Sequence, residues 1–94
     1  MSASTKHFVV DLRLPGTTRD ALAMLQAALI DASRRLTARD EPVRYLRTTY
    51  VSEHGRLLCL FEARNADAVR VVNETAQVPY RSIAEALEIQ PPTG

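Results

Sequence analysis

Few side chains in this sequence are of a type to do chemistry: two histidines, one cysteine, and carboxylates and tyrosines set in alternating apolar stretches. His7 and Asp11, in KHFVVDLR, fall on one side of an extended chain. Glu85, in RSIAEALEI, belongs to a second extended stretch. If the two stretches pair, His7, Asp11 and Glu85 form a mixed nitrogen and oxygen set suited to a borderline divalent ion such as nickel or zinc. A second group is Tyr50, Cys59 and Glu85, a tyrosine, a thiol and a carboxylate that could line a pocket for a small organic ligand. A carboxylate desolvated there would serve as an acid or base.

Each residue also has a plainer role. His7 starts a strand in solvent, and Asp11 and Glu85 can pair with Arg13, Arg81 or backbone donors. Cys59 is flanked by leucines and reads as an inert small hydrophobe. Tyr45 and Tyr50 can simply pack, and His54 sits in an exposed turn. Metal spacings such as His-x-His and Cys-x-x-Cys are absent, as are a Ser-His-Asp arrangement and a phosphate-cradling loop; the chain has three glycines.

Composition narrows the classes further. Ninety-four residues, 46% hydrophobic and 24% charged, suit one globular domain spanning 1–94, with a modest core over about 6–90. Net charge is +1, with no basic cluster and no exposed aromatic pair on the central strands, so nucleic acid is not an expected partner. A lone cysteine suits a reducing compartment. The N-terminus lacks the order of a signal peptide, and no apolar run nears the roughly 20 residues that span a membrane. The expected location is cytoplasmic, without membrane association.

Six elements must position these side chains. Lys6–Leu12 alternates as a strand, ended by Leu14-Pro15-Gly16. Thr17 or Thr18 caps a helix whose stripe is Leu22, Leu25, Leu29 and Leu36, with Asp20 in its first turn and Arg34-Arg35 near its end. Tyr45–Glu62 reads as a hairpin turning at Glu53-His54-Gly55. A turn of two or four residues there predicts Arg47 facing Glu62, Thr48 facing Phe61, Thr49 facing Leu60 and Tyr50 facing Cys59, with Tyr45 and Tyr50 on opposite faces. Asn65 caps a second helix, Ala66 to about Ala76, with Val69, Val72 and Ala76 inward. Ser82–Ile89 is a last strand that puts Ile83, Glu85, Leu87 and Ile89 on one face. The tails Met1–Thr5 and Pro91–Gly94 lie outside these elements.

The order β-α-β-β-α-β predicts an α+β, ferredoxin-like sandwich: an antiparallel four-stranded sheet, order 4-1-3-2, with two helices on one face. The run Leu57–Phe61 is apolar on both sides, so a second surface must cover the face without helices. A homodimer through that face meets the requirement.

The segments FVVDLRLPG, VRYLRTTYVSEHGRLLCLFEA, DAVRVVNETAQVP and RSIAEALEI, in this order and spacing, make the chain resemble a family. It is the small ferredoxin-like domain-of-unknown-function family associated with nickel binding. The resemblance covers roughly residues 7 to 91. It implies a ferredoxin-like fold, a dimer and, in some members, a transition-metal site, with Asp11, Cys59 and Glu85 at matching positions. Leu12, His54-Gly55 and Gln77 depart from the family pattern, the last standing where many members have glycine. The resulting expectation is a metal- or small-ligand-binding protein. The alternatives are a dimeric α+β-barrel enzyme or accessory protein holding a small hydrophobic substrate against the open sheet face, or an interaction module with no ligand.

Overall fold

Alternation of apolar and polar side chains, broken by capping residues and by Pro and Gly, produces the expected order. The computed structural model describes residues 4–92, so the ends of both expected tails lie outside the described residues. The elements are β1 (Lys6–Arg13), α1 (Arg19–Thr37), β2 (Val43–Val51), β3 (Arg56–Ala63), α2 (Ala66–Thr75) and β4 (Tyr80–Ala86). The strands form one antiparallel sheet in the order β2-β3-β1-β4. This is the ferredoxin-like α+β sandwich.

Side chains at alternate positions of the two central strands build the core. Phe8, Val10 and Leu12 of β1 and Leu57, Cys59, Phe61 and Ala63 of β3 are buried against Leu29 and Ala32 of α1 and Ala68, Val69 and Val72 of α2. Both helices therefore lie on one face, and the opposite face is open.

Each helix starts where a side-chain oxygen can take an unsatisfied amide. Thr18 Oγ1 accepts from the Ala21 amide at 3.1 Å, and Asn65 Oδ1 accepts from the Ala68 amide at 2.9 Å. The end of α2 is closed by Gln77 in a left-handed conformation, φ 59°. Its amide donates to the Glu74 carbonyl at 3.1 Å, and the Val78 amide donates to the Asn73 carbonyl at 2.9 Å. Glycine meets this geometry without strain, and glutamine does not.

The hairpin corrects the predicted register. Its loop is Ser52–Gly55, one residue earlier than the predicted turn, with the His54 amide donating to the Val51 carbonyl at 3.1 Å. Pairs therefore shift by two: Thr48 faces Cys59, Tyr50 faces Leu57 and Arg47 faces Leu60. A shift of two keeps every side chain on its face. Leu46 is then a bulge, beyond which Tyr45 faces Phe61 and Arg44 faces Glu62. The extra residue turns Tyr45 to the same face as Tyr50, so both tyrosines face the helices. Tyr45 stacks edge-on against Phe61 with ring centres 5.6 Å apart. Its hydroxyl accepts from Gln26 Nε2 at 2.7 Å and lies 2.6 Å from Thr48 Oγ1.

The last strand is shorter than predicted. β4 ends at Ala86, which pairs with His7, and the following residues leave the β1 edge, with Glu88 reaching Arg47 of β2. Leu87 and Ile89 are accordingly outside the sheet, 82% and 81% exposed.

The hairpin loop is held against the turn after β1, where the Leu14 amide donates to the Gly55 carbonyl at 2.7 Å. Gly55 has φ +61°, and a Cβ there would stand 2.7 Å from Pro15 Cα. Gly55→Ala is expected to cost at least about 2 kcal/mol in urea unfolding, from left-handed strain plus collision. Gln77→Gly is expected to gain about 0.5–1 kcal/mol by the same measurement. An unchanged unfolding midpoint in either variant would contradict these backbone assignments.

Candidate functional site on the open sheet face

The open face carries His7, Val9, Asp11 and Arg13 from β1, and Arg56, Leu58, Leu60 and Glu62 from β3. Arg44, Arg47 and Thr49 come from β2, with Ser82, Ala84 and Ala86 from β4, as strand alternation and register require. It divides into three zones.

The middle is apolar. Leu60 is only 6% exposed although no helix lies on this side. The chain after β4 turns over this face: Glu88 and Arg47 pair at 3.0 Å and share a shallow groove of about 140 Å³ with Val9, Thr49, Leu58 and Leu60.

At the end of the face where β1 begins, His7 Nε2 lies 3.8 Å from Glu62 Oε2, each side chain about 30% exposed. The other Glu62 oxygen is 3.8 Å from Arg44 Nη1. Arg44 and His7, rather than the expected Arg47, are thus the neighbours of Glu62. Arg47 is engaged by Glu88 instead.

The hairpin end is basic. Asp11 accepts two bonds from Arg56, at 3.2 Å from Nε and 3.0 Å from Nη2. That carboxylate, by hydrogen bonding first and charge second, raises the Arg56 pKa and keeps the guanidinium charged. Arg13 Nη2 donates to the His54 carbonyl at 3.3 Å. Asp11, Arg13, His54, Arg56, Arg81 and Ser82 line an open groove of about 450 Å³.

The structure does not assemble the predicted metal set. His7 and Asp11 share the open face, but four residues of strand hold them roughly 13 Å apart. Glu85 pairs with the buried Phe8 and so belongs to the helix-side face, where its carboxylate lies 3.8 Å from Lys6 Nζ. Among the described residues no group of three or more His, Cys, Asp or Glu could hold a metal ion.

The predicted ligand pocket does not form either. Tyr50 and Cys59 are diagonal neighbours on the helix side, but Glu85 is on the far edge strand, with β3 and β1 between. Val10, Phe8 and Phe61 fill the interval. Cys59 has no exposed surface, and its Sγ accepts from Thr48 Oγ1 at 3.2 Å. Burial raises the thiol pKa more than the Thr48 bond lowers it, so the thiol stays protonated.

Two features of the face were not expected. Glu62, expected opposite Arg47, stands beside His7 instead, as its alternation with Leu58 and Leu60 requires once β1 pairs β3. The basic groove joins residues from three strands and a loop, and no single segment carries its signature.

The fold and this face define a small ferredoxin-like protein with a strip of apolar and charged residues on an uncovered sheet. The family model described as nickel responsive protein SCO4226-like matches residues 8–86, and the chain belongs to that family. Among solved structures, the crystal structure of SCO4226 from Streptomyces coelicolor A3(2) is similar, with a TM-score of 0.77 and 27% identity. The match covers 89% of this chain and 99% of that one. No curated protein matches.

Cys59 is expected to resist an aromatic disulfide reagent in the native protein and to react at once in urea. Its folded pKa lies above the unfolded one, so its contribution to stability is complete at neutral pH and falls as pH rises above about 8.5. Cys59→Ala should flatten that alkaline slope relative to the parent. Rapid labelling of the native protein would contradict the buried thiol.

Proposed function

We propose that this chain is a divalent-metal-binding protein of the nickel-responsive class, working as a homodimer through the open sheet face. The observation that carries the reading is the His7–Glu62 pair, an imidazole and a carboxylate 3.8 Å apart at one end of that face. An imidazole and a carboxylate match the preference of a borderline ion such as nickel. Two donors from one chain are too few for a tight site, so a second copy or water must supply the others. The similarity to the family named for nickel response supports the choice of ion. His7 and Glu62 would touch the metal, and Arg44 would be displaced from Glu62 as it binds.

The dimer follows from the same face. Val9 and Leu58 remain partly exposed beside Leu60, and Leu87 and Ile89 stand out from the segment that crosses it. A second copy placed face to face would cover all of these. The groove over Val9 and Leu58 is smaller than ordinary ligand cavities, so it gives a hydrophobic substrate little room.

Calorimetric titration of the tag-free protein with nickel chloride is expected to show saturable binding, with His7→Ala and Glu62→Gln each weakening it about tenfold or more. Absence of binding tighter than about 1 mM, or no change in both variants, would overturn the metal reading.

A further inference from the structure

We propose that the groove at the hairpin end of the open face is an anion site that takes the phosphoryl group of a small molecule. Three arginines, Arg13, Arg56 and Arg81, line it beside one acidic residue, Asp11. With Asp11 committed to Arg56, the groove keeps an excess of about two positive charges, matching a phosphomonoester at neutral pH. The Ser82 side chain adds a hydroxyl, and arginine forks fit phosphoryl oxygens in pairs.

Two features show that the chain builds this cluster at a cost. Arg13 and Arg56 are direct cross-strand partners, a like-charge pairing that disfavours the sheet. The β1–β4 register also shifts here, from Asp11 facing Ser82 to Leu12 facing Tyr80, leaving Arg81 as an unpaired bulge residue. Strict alternation would put Arg81 on the face opposite Ser82. The bulge instead lets both line one groove, the usual effect of a bulge on side-chain direction. Arg81 forms no ion pair among the described residues, while Arg13 holds only a carbonyl oxygen. Two guanidiniums thus have donors left for a ligand. The volume of about 450 Å³ suits a small molecule rather than a bare ion alone.

The test is amide chemical-shift titration of the full chain with phenyl phosphate, inorganic phosphate and succinate. Phenyl phosphate is expected to saturate with a Kd of about 0.1 mM, shifting amides around Arg13, Gly55, Arg56 and Ser82. Arg13→Gln and Arg81→Gln should each weaken it about tenfold while melting no lower than the parent, since each relieves repulsion. Arg44→Gln, at the other end of the face, should bind as the parent does. Phenyl phosphate binding more tightly than inorganic phosphate supports an organic phosphoryl ligand, and equal affinities support the phosphate ion as the ligand of the same site. Succinate binding as tightly as phenyl phosphate would overturn the phosphoryl assignment. Shifts scattered over the surface, or equal weakening by Arg44→Gln, would overturn the site. None of these outcomes depends on nickel, so failure here and failure of the metal reading are separable.

Discussion

A central strand that is apolar on both sides can be covered by helices on only one. In β3, Leu57, Cys59 and Phe61 are sealed by α1 and α2, while Leu58 and Leu60 face away from them. Burying a leucine side chain is worth about 1.5–3 kcal/mol, so leaving that strip wet is a substantial loss for a chain of this size. The structure answers in part by laying the segment after β4 across the sheet and pinning it through Glu88 and Arg47. An exposed ion pair is weak cover, and it brings Leu87 and Ile89 out into solvent with it.

Charge is distributed around that strip rather than over it. At one end Glu62 stands between His7 and Arg44, and at the other Asp11 is clamped by Arg56 beside Arg13 and Arg81. The two ends differ in chemistry: an imidazole with a carboxylate suits a cation, and grouped guanidiniums suit an anion. The proposed second copy would meet the centre of this uncovered face, and the proposed ligands its two ends. The helix side, by contrast, is spent on packing, which is why Cys59 and Tyr50 have structural roles there.

What could be read in the sequence follows from how local each signal is. Thr18 and Asn65 announce helix starts through their own side chains, and the unbroken run Leu57–Phe61 marks an inner strand without outside help. Strand order followed from the element order by handedness. The site was harder, because it depends on register and on single inserted residues. The bulge at Leu46 turned Tyr45 inward, and the irregularity at Arg81 brought that residue to the groove. Neither leaves a mark in the pattern of apolar residues. Glu85 differs from the expectation for a related reason: β4 meets β1 with Glu85 opposite Phe8, on the helix side with Ile83. Leu87 and Ile89 continue the alternation of β4 in sequence, but the chain leaves the sheet edge after Ala86 and Glu88 pairs with Arg47 instead.

The proposed second copy closing over the uncovered face is tested most directly by sedimentation equilibrium of the parent beside a Leu87→Asp/Ile89→Asp variant. The parent is expected to sediment at twice the chain mass at micromolar concentration, and the variant, with unchanged far-ultraviolet circular dichroism, as a monomer. A parent that sediments as a folded monomer at that concentration would contradict the account.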